Sequence, residues 1–130
     1  MKVHSTKTDN YDINNKINLR KEAVKGLDEL RVLDLFAGEN KLWKNFDKKI
    51  YFGVEKEKNK GKNLNADNIR VIKSLDLSRF NVIDLDSYGI PFNQLYEIFK
   101  NPTLQSGTVF VYTCITNKMS AVNNPTLRSV

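Results

Sequence analysis

Residues 31–40, Arg31-Val32-Leu33-Asp34-Leu35-Phe36-Ala37-Gly38-Glu39-Asn40, decide how this chain is read. A short apolar run carries an acid and passes into the small-residue turn Ala37-Gly38. It is too short for a helix, so it reads as a buried strand that delivers its carboxyl end to a loop. Four further runs share the character, at residues 50–54, 69–72, 81–85 and 108–113. They are rich in Val, Ile, Leu, Phe and Tyr and lack strict polar alternation, as strands covered on both faces do. Stretches of helical character lie between them at residues 40–47, 56–65 and 92–100, whereas the connection 74–79 is too short for a full helix. This alternation predicts an α/β fold, an open, mainly parallel sheet of about five strands with right-handed crossovers.

Outward from this centre, Ile13, Ile17, Leu19, Ala23, Val24 and Leu27 recur at helical spacing with Lys16, Arg20, Lys21 and Lys25 between them. They predict an amphipathic helix ending near Gly26. Residues 1–12 are polar and read as a flexible arm. Residues 13–130 read as one domain, with a polar tail from about residue 116 that offers no further strand. The 130 residues carry a formal charge of +6, with 40% apolar and 28% charged side chains, which suits a single globular domain. No apolar run reaches the ~20 residues of a membrane span, and the first residues lack the apolar core of a secretion signal, so a cytoplasmic location is expected. One cysteine and one histidine are too few for a disulfide or an ordinary zinc site.

In an open parallel sheet the ligand crevice lies beyond the carboxyl ends of the strands. Asp34 stands at the first of these ends, and Ala37 and Gly38 let backbone approach a ligand. Glu55, 21 residues later, ends the second strand, where an acid can accept from a ribose diol. Asp76 stands past the third segment, where it can accept from an adenine amino group while Leu77 packs on the ring. The phosphate-cradling patterns G-x-G-x-x-G and G-x-x-x-x-G-K-(S/T) are both missing from the sequence. A single-glycine loop preceded by an acid therefore fits a ligand with adenosine and positive charge but no phosphate, and S-adenosylmethionine is such a ligand. The fourth segment ends Asp84-Leu85-Asp86-Ser87-Tyr88-Gly89-Ile90-Pro91, a turn able to hold a planar amino group against an acid while an aromatic ring stacks on it.

This ordered set resembles the Rossmann-like class of S-adenosylmethionine-dependent methyltransferases. Residues 32–40 are similar to the first motif of that class, Glu55 to its ribose-binding acid and Asp76 to the acid beside adenine. Residues 84–91 resemble the D-x-D-P-(F/Y)-G-(S/T)-P turn of the tRNA guanine dimethyltransferase family, and residues 107–113 resemble its fifth strand. Ser87 stands in place of the turn's proline, Glu39-Asn40 in place of the second glycine region, and Thr116 or Asn117 where an acid follows the fifth strand. The resemblance covers about residues 30–115 and implies a sheet without the family's last two strands. It implies a cofactor site of Asp34, Phe36, Ala37, Gly38, Glu55, Lys56, Asp76, Leu77 and Asp84. Asp86 and Tyr88 would be catalytic, and Ser87, Gly89 and Pro91 would line the substrate site. The implied activity is methylation of an exocyclic amino group of a base, guanine in tRNA. A non-catalytic cofactor- or RNA-binding module, or a subunit of a larger methyltransferase, is the alternative; DNA is the other possible substrate. The implied partners are nucleic acid, no membrane, and a second copy or subunit that supplies the missing elements.

Several residues carry two readings. Asp34 and Asp76 also suit helix caps, Asp84 a structural role, and Tyr88 a core aromatic. Cys114 suits a packed thiol, Trp43 a helix face on the sheet, and His4 lacks neighbours that would organise a base. Lys16, Arg20, Lys21 and Lys25, like the lysines of residues 56–62, suit either a solvated face or contact with RNA backbone.

Overall fold

Successive residues of a strand point to opposite faces of a sheet, and here both directions are apolar, so the sheet must be covered twice. The computed structural model describes residues 2–114 and 126–127. Helix α1 (Lys2–Val24) precedes β1 (Arg31–Asp34), β2 (Ile50–Glu55) and β3 (Leu64–Asn65). Then come α2 (Asn68–Ser74), a 3-10 turn (Leu77–Arg79), β4 (Val82–Ser87), α3 (Phe92–Lys100), β5 (Val109–Cys114) and β6 (Thr126–Leu127). The sheet order is β3-β2-β1-β4-β5-β6. The first five strands in that order are parallel, and β6 is antiparallel to β5. The expected α/β fold with an open parallel sheet is therefore the fold observed.

The two faces bury separate clusters. Leu33, Leu35, Val54, Ile83, Leu85 and Phe110 meet Ile72, Leu77, Phe80 and Ile98 on the face covered by α2 and α3. Val32, Val82 and Val111 meet Val24, Leu30 and Trp43 on the face covered by α1 and the β1–β2 loop. Each fully buried Leu, Ile or Phe contributes roughly 1.5–3 kcal/mol of transfer free energy. Among the described residues, no helix is long and apolar enough to cross a membrane.

Five expected elements differ from those observed. Residues 40–47 and 56–63 form turns rather than helices, because Asn40, Asn59 and Gly61 have φ of 64°, 67° and 58°. Residues 69–72, expected as a strand, belong to α2, whose start is fixed by Asp67 accepting from the Ile69 amide at 3.1 Å. The third strand is instead the short β3. Residues 2–12, expected as an arm, lie on α1, which begins at Lys2 rather than near Ile13. The tail, expected without a strand, contributes β6. Thr116, Asn117 and Pro125 lie outside the described residues, as do the side chains of His4 and Cys114.

Beneath α1 lies a fully buried ion pair. Arg20 donates from Nε to Asp84 Oδ2 at 2.7 Å and from Nη2 to Asp84 Oδ1 at 2.9 Å, and both side chains are 0% exposed. Trp43 Nε1 adds a third donor to Oδ2 at 2.6 Å. Burial pulls the Arg20 pKa down, but the charge and hydrogen bonds of Asp84 outweigh it and hold it above the ordinary value. Removing one member strands the other as a buried charge, which costs about 3–5 kcal/mol, whereas replacing both with apolar groups of similar volume is far milder. Arg20→Ala and Asp84→Ala should each lower stability by about that amount in urea denaturation, and Arg20→Met combined with Asp84→Leu should recover most of the loss.

Candidate functional site

The strand order reverses between β1 and β4, and the carboxyl ends of β1, β2, β3 and β4 surround this point. Leu35 N donates to Asp84 O at 3.0 Å and Ala37 N to Val54 O at 3.0 Å, so the chain leaving β1 stays tied to β4 and then to β2. Ala37 is buried, and Phe36 packs on the α2/α3 cluster. Gly38 has φ 54° and open space where a side chain would project. Its amide donates to Glu55 Oε1 at 2.9 Å, while Glu57 N donates to Oε2 at 2.9 Å. A carboxylate has about four acceptor sites, so Glu55 retains capacity for two further donors. Lys56, next to it, is exposed.

Asparagines weld the loops after β1 and β2 together. Asn40 Nδ2 donates to Asn63 Oδ1 at 2.7 Å and to Tyr51 Oη at 3.0 Å, and Asn40 Oδ1 accepts from Lys62 N at 2.8 Å. Asn63 Nδ2 in turn donates to Gly38 O and Lys60 O, each at 2.9 Å. Gly61 passes so close to Asn40 and to the Gly38 carbonyl that a Cβ there would overlap them. The left-handed φ of Asn40 is one that Asn adopts more readily than most side chains, so a second glycine is not required at this turn. A groove of about 410 Å³, lined by Tyr51, Phe52, Gly53, Lys62, Asn63 and Leu64, opens beside this network. Another, of about 370 Å³, lies among Val24, Leu27, Leu30 and Lys49 at the amino ends of the strands.

Three acids on the α1 face have different fates. Asp34 is level with Gly53 and Asp84 in the sheet and is buried; its Oδ2 accepts from Tyr51 Oη at 2.7 Å and its Oδ1 has no hydrogen-bond partner. Burial, reinforced by the charge of Asp84, pushes its pKa well above the ordinary 3.8. Burial beside Asp34 likewise raises the Tyr51 pKa, so Tyr51 remains a donor. Asp84, expected near the cofactor, is wholly occupied by Arg20 and Trp43 and serves the fold instead. Asp86 is the outermost: Lys16 Nζ lies 3.1 and 3.2 Å from its two oxygens, and Thr113 Oγ1 donates to Oδ1 at 2.5 Å.

Asp76 and Leu77 do not reach the crevice. They follow α2 at the amino ends of the strands, where Arg31, the first residue of β1, donates to the Ser78 and Arg79 carbonyls at 3.4 and 3.0 Å. Asp76 caps the 3-10 turn, with Ser78 holding its pKa below the ordinary value, and Leu77 is in the core. The acid beyond the third strand is Asp67. Next to it, Asn68 donates to Leu35 O at 2.8 Å and accepts from Gln94 at 2.9 Å, joining α2 and α3 to the end of β1.

The turn after β4 lies at the carboxyl end of that strand. Ser87 is buried and its hydroxyl donates to Gly89 O, Pro91 caps α3, and Tyr88 is 67% exposed. The residues missed from sequence were Tyr51, Asn63, Asp67 and Thr113, together with the structural use of Lys16, Arg20 and Trp43. A charged residue inside an apolar strand, as Asp84 is, signals a buried cationic partner, but does not reveal which. The chain matches no known family model and no curated protein sequence.

The raised pKa of Asp34 fixes a sign. Above pH 3.8 the unfolded chain releases a proton that the folded chain still holds, so this group makes stability fall as pH rises through the interval up to its native pKa. Asp34→Asn retains an acceptor for Tyr51 without that titration. Thermal melts from about pH 4 to 8 should show the variant gaining on the wild type as pH rises.

Proposed function

We propose that this protein is an S-adenosylmethionine-dependent methyltransferase acting on an exocyclic amino group of a nucleic-acid base. Guanine in tRNA is the target favoured by the resemblance of residues 84–91. The observation that carries the reading is the juxtaposition, around the strand-order reversal, of a single-glycine loop joined to Glu55 with the Asp86–Tyr88 turn. The residues fit the cofactor at three points. Gly38 leaves open space, Glu55 keeps acceptor capacity for a diol, and the buried Asp34 Oδ1 is unpartnered. Glu55 would hold the ribose, and Ala37 and Gly38 the adjacent edge, with Phe36 and Asp34 behind them. Bound there, the cofactor would supply a methyl group already activated on a sulfonium.

The protein's tasks are then holding and alignment, from which most of the acceleration of such a transfer can come. Asp86 accepts a hydrogen bond from the amino group, aims the nitrogen lone pair and receives the proton that the nitrogen sheds. Lys16 and Thr113 fix the carboxylate for that role. Tyr88 stacks on the base, and Ser87, Gly89 and Pro91 shape the turn beneath it. A paired base must first leave its duplex to enter such a site.

One observation favours a second reading. Both Asp86 oxygens are engaged by Lys16, and Thr113 adds a bond to one of them, as they would be in a cofactor- or RNA-binding module that does no chemistry. Transfer of a labelled methyl group to pooled tRNA, rRNA or DNA separates the readings, because a module transfers none. Glu55→Ala should weaken S-adenosylmethionine binding about 10- to 100-fold in calorimetry, the worth of lost hydrogen bonds to a charged acceptor. Asp86→Ala should slow transfer about 100-fold or more while leaving cofactor affinity nearly unchanged.

A further inference from the structure

Among the described residues, six large apolar side chains are exposed, and five of them adjoin the β4–α3 turn: Tyr88 at 67%, Ile90 at 45%, Phe92 at 69%, Tyr96 at 63% and Phe99 at 53%. At 3.6 residues per turn, Phe92, Tyr96 and Phe99 share one side of α3, while Leu95 and Ile98 point to the sheet. Phe99 is partly accounted for by stacking on Phe110 at 5.3 Å, with ring planes 16° apart. Tyr88, Phe92 and Tyr96 lie further out, and Lys100 Nζ stands 5.0 Å from the centroid of the Tyr96 ring.

We propose that Tyr88, Phe92 and Tyr96, with Lys100 at the edge, form a stacking platform for the unpaired nucleotides that flank the target base. The proposal rests on the reading of the β4–α3 turn as a base site and names the form of its substrate: a single-stranded stretch. Three features suit nucleic acid. Four of the five exposed side chains are rings, and a π-face stacks on any base. Lys100 adds a cation where a backbone phosphate would pass, in a chain of formal charge +6. The patch also includes Tyr88, in the turn two residues past Asp86, so nucleotides that pass over the end of β4 from a base held at Asp86 can reach the outer side of α3.

The test uses the full chain and a fluorescein-labelled twelve-nucleotide oligouridine, alone and annealed to its complement, read by fluorescence anisotropy. Wild type should bind the single strand and prefer it to the duplex. Phe92→Ala combined with Tyr96→Ala should weaken that binding about tenfold or more, with an unchanged melting temperature because both side chains are exposed. Lys100→Gln should lower the salt dependence by about one unit of slope. Equal binding by the double variant, preference for duplex, or no binding by wild type would overturn the platform. So would sedimentation showing a wild-type dimer that the double variant dissolves, which would make the patch an interface between copies. Ring-dependent binding without methyl transfer to any RNA or DNA would remove the catalytic reading and leave the platform standing.

Discussion

The Arg20–Asp84 pair is the contact on which the arrangement of this molecule turns. Asp84 sits mid-strand in β4, at the centre of the sheet, where an unpaired carboxylate would be prohibitively costly. Only an arginine with its forked donors, helped by the Trp43 indole, satisfies it there. That requirement fixes where α1 lies and how it is rotated. Four residues of helix advance about 6 Å and two residues of strand about 6.6 Å, so a helix run against β4 can match it step for step. Lys16 meets Asp86 and Arg20 meets Asp84, and the next step, Val24, joins Val82 in the apolar cluster. The direction is antiparallel, and a slip of the helix by one residue would break every rung.

The ladder also shapes the site indirectly. With α1 supplying one cover by charge, the loop from β1 to β2 is free of the helix that would otherwise cover that face, and Trp43 anchors it to Asp84. The loops at the carboxyl ends are then held by side chains rather than by helices, with Asn40 and Asn63 standing in for backbone partners. The short spans between Asp34, Tyr51 and Asn40 make a partly buried polar chain at the ends of β1 and β2, which rigidifies only while each link is satisfied. Asp34 Oδ1 is the one link of this chain left open.

What could be read in the sequence divides along physical lines. The strands β1, β2, β4 and β5 and the helix α3 were legible because their apolar content is dictated by burial within a covered sheet. The run Ile69-Arg70-Val71-Ile72 was misread because a short β-branched segment suits a strand as well as a helix. The decision fell to Asp67, whose cap starts α2, and moving the third strand back to Leu64–Asn65 moved Asp76 away from the crevice. The segments 40–47 and 56–63 look helical by charge spacing, but Asn side chains compete with the backbone for hydrogen bonds, and Gly61 and two positive-φ asparagines end the pattern. The acids Asp34, Glu55, Asp84 and Asp86 were found, yet their separate fates were hidden. Lys16 and Arg20 are indistinguishable from a solvated basic face until the register of α1 on β4 is known.

That register explains why Asp86 rather than Asp84 is the acid to which the proposed function gives a role. Along the ladder, exposure rises from 0% for both members of Arg20–Asp84 to 15% and 17% for Lys16 and Asp86. A fully buried pair cannot exchange its partner without stranding a charge, whereas the outer pair keeps some contact with water. Under the proposed function an incoming amino group would share Asp86 with Lys16, while Thr113 keeps the carboxylate in position. The inner rung is sealed while the outer one reaches water, so the interaction that builds the fold also leaves one acid partly accessible at the end of β4.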